Sequence, residues 1–182
     1  MIPISGEKRM RIRAVEEKDL PELARIDAEA FPSAPYPYFV LRQYFDICGD
    51  HLFVVEDDEP RLYGYVLASP PHHTLSWIIS LGVTPELRRN GLGRRLMVAM
   101  LHRLQSEGAQ QILLTVEPDN GSAILLYRSL GFVAYGTPDP DYFGRGEPRL
   151  LMTLSLRTAP PARGTPPSAP SASPNAGRRG GP

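Results

Sequence analysis

A single cysteine, Cys48, gives the chain no intramolecular disulfide, and no Cys/His pair stands at metal-ligand spacing, so neither staples nor a structural zinc are indicated. An excess of charge of one sign is also missing, because 20 Lys and Arg balance 20 Asp and Glu. That balance removes the long-range field of a protein that coats nucleic acid or an anionic membrane, and it leaves only local positive patches. No apolar run approaches the roughly 20 residues that cross a bilayer, and the N-terminal stretch MIPISGEKRMRIR has charges with no apolar segment behind them. These absences predict a cytoplasmic protein in a reducing compartment, with no nucleic-acid and no membrane partner. What is present, 42% hydrophobic and 22% charged residues over 182 positions, suffices for one domain with a proper core.

From residue 157 to 182 the chain is almost entirely Pro, Ala, Ser, Gly and Arg, with no large apolar side chain to offset the entropy of ordering it. It reads as a disordered tail, and its Arg178-Arg179 pair as a solvated end or a phosphate contact. Residues 1–9 read as a loose leader and residues 10–156 as the folded domain. Within that domain the apolar period switches repeatedly between two and 3.6. Residues 11–15 alternate as a first strand, and Asp19 stands as an N-cap before the helical stripe Leu20, Leu23, Ile26 and Ala30, which Pro32 stops. A second helical pattern covers 39–48. Residues 51–56 and 62–69 form a hairpin pattern, and 75–83 a strand with Trp77, Ile79, Leu81 and Val83 on one face and Ile78, Ser80 and Gly82 on the other. A long helix carries Leu92, Leu96, Ala99, Met100 and Leu104 up to Gly108. Strand 112–116 follows, then a short helix capped by Asn120 and ended by Gly131, then strands at 132–136 and 150–156. The final strand is a candidate for pairing two copies or is simply an edge. Strands outnumber helices, which predicts an α/β (α+β) mixed sheet with helices on both faces.

The most informative stretch is SLGVTPELRRNGLGRRLMVAML, a buried strand, a glycine-rich turn and an amphipathic helix. A helix N-terminus offers unpaired N–H groups and partial positive charge, and glycines let a bound anion approach the backbone. Arg88, Arg89, Arg94 and Arg95 surround this turn in an otherwise neutral chain, so phosphate is its natural guest. A dinucleotide-binding turn requires a third small residue where Leu96 stands, and no Lys-Ser/Thr pair makes a P-loop. A plain surface turn with arginines on a solvated helix face stays open on this motif alone.

The signature Arg88-x-x-Gly91-x-Gly93 at the head of a long helix resembles that of the GNAT N-acetyltransferase superfamily. The later stretch ILLTVEPDNGSAILLYRSLGF is similar to the branch that acetylates protein N-termini, including ribosomal-protein alanine acetyltransferases, in its step from Asn120 to Tyr127. A weaker third likeness is DYFGRGEPRLLMTL, with Tyr142, Phe143, Glu147 and Met152 in compatible places and Pro148 where that branch has Asp. The resemblance implies the GNAT fold, a mostly antiparallel sheet of six to seven strands with a splayed strand pair as cofactor slot, and acetyl-CoA as cofactor. It implies that Arg88, Arg89, Asn90, Gly91, Leu92, Gly93 and Arg94 wrap the pyrophosphate, that Leu81, Gly82 and Val83 pair their backbone with the pantetheine arm, and that Asn120 bonds it too. Tyr127 becomes the candidate acid that protonates the leaving thiolate.

The general base is less evident. Thr115 holds the place where the N-terminal branch often has glutamate, Glu117 lies two residues on, and Glu56, His72, His73 and Glu147 are further candidates near the cleft mouth. Deprotonating a lysine-like amine at pH 7 costs about 4.6 kcal/mol and an α-amine only about 1.4 kcal/mol. A weak base therefore favours a peptide α-amine acceptor. A small-molecule amine is the alternative within the enzyme class, and a non-catalytic acyl-CoA sensor or a nucleic-acid binder the alternatives outside it. Residues 31–38 and 138–147, with their aromatics, are where an acceptor pocket is expected.

Overall fold

Runs of β-branched, leucine and tyrosine residues pair into one seven-stranded sheet in the computed structural model, which describes residues 9–59 and 61–156. The expected leader up to residue 8 and the tail from residue 157, with Arg178 and Arg179, lie outside the described residues. The strands are β1 (Arg11–Ala14), β2 (Leu52–Glu56), β3 (Leu62–Ala68), β4 (Leu75–Val83), β5 (Gln111–Val116), β6 (Val133–Ala134) and β7 (Leu150–Ser155). Their order is β1-β2-β3-β4-β5-β7-β6, antiparallel throughout except for the parallel neighbours β4 and β5. The helices are α1 (Leu20–Ala30), α2 (Tyr38–Cys48), α3 (Leu92–Ser106) and α4 (Gly121–Ser129). This is the mixed, mostly antiparallel sheet with helices on both faces that the pattern predicts. The final strand is flanked on both sides over part of its length: β7 lies beside β5, and its Met152 and Thr153 also face Ala134 and Val133 of β6.

Strand β3, buried along its whole length, separates two cores. Tyr63, Val66 and Ala68 pack with the apolar faces of α3 and α4, whereas Tyr65 and Leu67 pack with α1 and α2. Helix α3 buries Leu92, Leu96, Met97, Met100, Leu101 and Leu104 at helical spacing, each contributing about 1.5–3 kcal/mol. Gly108 (φ 90°) and Gly131 (φ 95°) end α3 and α4 in the left-handed conformation, as expected of glycine stops. At the other end of the domain Asp19 departs from expectation. It is itself helical, closes the short turn Glu17–Asp19, and gives its carboxylate to the Glu16 N–H at 2.8 Å and the Arg13 guanidinium at 2.6 Å instead of capping α1. A nearly buried carboxylate is better served by a cation than by a helix N–H alone.

The feature that builds a site is the parting of β4 from β5. The two strands pair from Leu75↔Gln111 to Ile78↔Leu114 and then separate, although β4 runs on to Val83 and β5 to Val116. A bulge lies at the same level: Leu67 faces Ser80 and Ala68 faces Ile78, leaving Ile79 as the extra residue. It interrupts the strict alternation expected of this strand. Ile78 packs with Leu81 and Val83 in the α3-side core, whereas Ile79 turns to the α1 side. One inserted residue exchanges the two faces of all that follows.

Candidate active site

The turn after β4 leads into the parted strands. Pro85–Leu87 forms a single 3-10 turn, Arg89 (φ 64°) and Gly91 (φ 75°) are left-handed, and α3 begins at Leu92. Among the described residues, the N–H groups of Leu92, Gly93 and Arg94 meet no capping side chain and no carbonyl. They face outward at the positive end of a 15-residue helix, the arrangement that receives phosphate. A Cβ on Gly91 would meet nothing within 4 Å. One on Gly93 would stand 3.5 Å from Leu126 and 3.8 Å from Leu81, against the walls that α4 and β4 supply. The residues present fit a diphosphate with an apolar extension between the strands.

The four arginines are less alike than their clustering suggests. Arg88 donates through Nε to the Val83 carbonyl at 3.2 Å and through a terminal nitrogen to the Ala30 carbonyl at 3.1 Å. Arg94 reaches the Ser129 hydroxyl at 2.7 Å, and Arg95 the Met10 carbonyl at 2.7 Å on the β1 side of α3. Arg89 is exposed, with no hydrogen bond or ion pair among the described residues. The positive charge stays local, but three of its carriers also brace the fold.

On α4, Asn120 caps the helix as expected, its Oδ1 accepting from the Ala123 N–H and the Ser122 hydroxyl at 3.1 Å each. Tyr127 is buried, with its ring tilted against Phe132 at 6.0 Å in the α3-side core. A packed aromatic accounts for the ring but not for its hydroxyl, which has no hydrogen-bond partner among the described residues. Burial pushes the phenol up to about 12, so it holds its proton at neutral pH.

The candidate bases separate. Glu117, exposed just after β5, lies 3.7 Å from the Arg149 guanidinium, which is also 3.7 Å from Glu147 and stacks over Phe143 at 4.9 Å. Glu117, Glu147 and the aromatics of the loop before β7 thus share one corner beside the end of β5. Glu56 is not at the cleft: it is buried two strands away from β4, paired with Arg11 and with Arg13 at 2.7 Å. His72 and His73 are exposed in the turn before β4. The buried His51 is bonded to Glu107 at 2.6 Å, away from the parted strands. The residue not anticipated is Asp27, 1% exposed on α1, whose carboxylate takes the Tyr36 N–H at 2.6 Å and the Tyr65 hydroxyl at 2.5 Å. Its signal was available, because Asp27 follows Leu23 by four residues on the apolar stripe.

The acetyltransferase (GNAT) family pattern matches residues 17–132, and the chain belongs to that family. It is similar to the mycothiol acetyltransferase of Paenarthrobacter aurescens, 42% identical over 97 residues that make up 52% of this chain and 30% of that protein. The chain spans about a third of the length of the mycothiol acetyltransferases it matches. It is also 33% identical over 122 residues to N-alpha-acetyltransferase 30 of Schizosaccharomyces pombe, covering 65% of this chain and 78% of that protein. Among solved structures, yncA of Salmonella typhimurium, with its cofactor acetyl-CoA, has the same fold at a TM-score of 0.69 and 21% identity, over 85% of this chain and 98% of that one. Among the described residues no helix is long and apolar enough to cross a membrane.

Proposed function

We propose that this chain is an acetyl-CoA-dependent N-acetyltransferase acting in the cytoplasm, with a peptide α-amine as acceptor. The observation that carries the reading is the uncapped start of α3 opening onto the gap between β4 and β5. Arg88, Arg89, Asn90 and the N–H groups from Gly91 to Arg94 would hold the diphosphate. The main chain of Leu81, Gly82 and Val83, freed from β5, would pair with the pantetheine arm, joined by the Asn120 amide. Acetyl-CoA, when bound, supplies an acetyl group activated as a thioester.

The chain's own residues then manage protons. Tyr127, which holds its proton at neutral pH, would donate it to the leaving thiolate. Its raised pKa makes it a weaker acid than a free phenol, so it would part with that proton only to a fully developed anion. Glu117 sits beside Arg149 at the opening and serves as base through water. Deprotonation at one remove, through water, suits an α-amine better than a lysine side chain, whose proton costs more to remove at pH 7. The extended match to N-alpha-acetyltransferase 30 supports the peptide acceptor. A second reading, an amine that is not part of a peptide, is favoured by the mycothiol acetyltransferases among the relatives.

Calorimetric titration with acetyl-CoA, followed by thiol release over N-terminal peptides, lysine side chains, polyamines and amino sugars, tests the proposal. Peptide N-termini are expected to give the highest kcat/KM. A clear preference for lysine overturns the acceptor, binding without thiol release for any amine leaves only a sensor, and no binding overturns the whole reading.

A further inference from the structure

Asp27 is a buried carboxylate that no cation pairs among the described residues. Its Oδ2 accepts from the Tyr36 N–H and its Oδ1 from the Tyr65 hydroxyl, which lies 2.8 Å from the Ser80 Oγ. These contacts fix the direction of every proton in the chain. An ionised carboxylate only accepts, so the one Tyr65 hydrogen points to Asp27. Burial and the adjacent Asp27 charge hold the Tyr65 phenol well above its ordinary value, so it stays a donor. The Tyr65 oxygen can then only accept from Ser80, and the Ser80 hydrogen is turned inward. An unconstrained serine donates or accepts as its neighbour requires; this one has only lone pairs left to offer.

Ser80 also occupies a particular place. It is the first residue beyond the Ile79 bulge, on the stretch of β4 that has left β5, and it is only partly buried. Its side of the strand is the α1 side: a Cβ on Gly82, two residues along, would strike the Tyr65 ring at 2.7 Å and meet Ala30 at 3.3 Å. The carboxylate that orients Ser80 also ties down the segment between α1 and α2 through Tyr36, so the serine and that segment are set relative to one another.

Building on the acetyl-transfer reading, we propose that Ser80, oriented by Tyr65 and Asp27, accepts a hydrogen bond from an N–H of the acceptor amine and so positions that amine where β4 and β5 part. The buried negative charge behind the serine makes its oxygen a stronger acceptor and favours an N–H donor over an acceptor-only group. Ser80 touches the substrate; Tyr65 and Asp27 are positioning residues that act through it.

Steady-state kinetics with both substrates varied, alongside calorimetric titration of acetyl-CoA, tests this on Ser80→Ala, Ser80→Thr and Tyr65→Phe. Ser80→Ala is expected to lower kcat/KM for the amine about tenfold, the effect of one lost hydrogen bond, with acetyl-CoA affinity unchanged. Ser80→Thr, which keeps the hydroxyl on a β-branched side chain suited to a strand, should restore it to within about threefold. Tyr65→Phe keeps the ring packing but releases the serine, and an intermediate loss is expected; it also serves if Ser80→Ala folds poorly. Amine kcat/KM within about twofold of wild type in Ser80→Ala, or equal losses toward both substrates, overturns the inference while acetyl transfer stands. A wild-type protein that binds no acetyl-CoA overturns the underlying reading instead, and this inference with it.

Discussion

Replacing Gly93 by alanine should make the protein more stable and a poorer binder of acetyl-CoA at once. Gly93 sits in the first turn of α3 with space for a methyl, whose nearest neighbour would be Leu126 at an ordinary 3.5 Å. Alanine in a helix is favoured over glycine by about 0.5–1 kcal/mol. For a domain of this size that is a gain of about 1–4 °C in Tm. The same methyl enters the space between Leu81, Val83 and Leu126, where the diphosphate would meet the N–H groups of α3. Losing one charge-assisted hydrogen bond there costs about 1.5–3 kcal/mol, or about 10- to 150-fold in Kd. Calorimetry and a thermal melt on the same preparation read both quantities. Gly91→Ala is the control: its left-handed φ of 75° should lower stability by about 1 kcal/mol. If Gly93→Ala binds acetyl-CoA within about twofold of wild type, the cradle is not where the cofactor lies.

Tyr127→Phe should lower kcat about 10²-fold with little change in acetyl-CoA affinity and no loss of Tm, since the hydroxyl has no partner to lose; stopped-flow thiol release checks it. The alkaline limb of kcat should show no step attributable to the phenol below about pH 11, because its raised pKa keeps it protonated. For stability, Tyr36 and Tyr127, both pushed up to about 12 by burial, favour the folded state fully below the unfolded tyrosine value of 10. That contribution fades as pH climbs toward 12, so denaturant melts should show stability falling from about pH 10 upward. At the acid end the Arg13 guanidinium, with burial opposing, holds Glu56 below its ordinary value, a contribution present above about pH 4.5 and lost as pH falls. Arg13→Met leaves Asp19 buried without its cation and Glu56 with Arg11 alone, and should cost about 3–5 kcal/mol in urea melts at pH 7.

The helices and strands were legible because their signals are local. Apolar stripes mark α1 and α3, glycines sit where left-handed backbone ends α3 and α4, and Asn120 caps α4. The glycine turn was legible because its chemistry follows from backbone conformation. Features set by long-range pairing were not. The Ile79 bulge depends on which β3 residue faces which β4 residue, and no spacing within 75–83 announces it. Glu56 looked available at a cleft until β1 placed two arginines beside it. Arg94 and Arg95, adjacent in sequence, point a helical step apart to Ser129 and Met10. Asp27 was visible on the stripe, but its partner Tyr65 lies 38 residues away in sequence, and Ser80, the partner of Tyr65, a further 15.

The two carbonyl contacts of Arg88 make the phosphate turn a hinge post for the far side of the opening. By gripping the last carbonyl of α1, this side chain fastens the root of the segment that begins at Phe31. Shortening it to alanine would therefore loosen the entrance through which an amine must come, so a lesion drawn on the nucleotide end of the groove should be felt as a fault in choosing the acceptor.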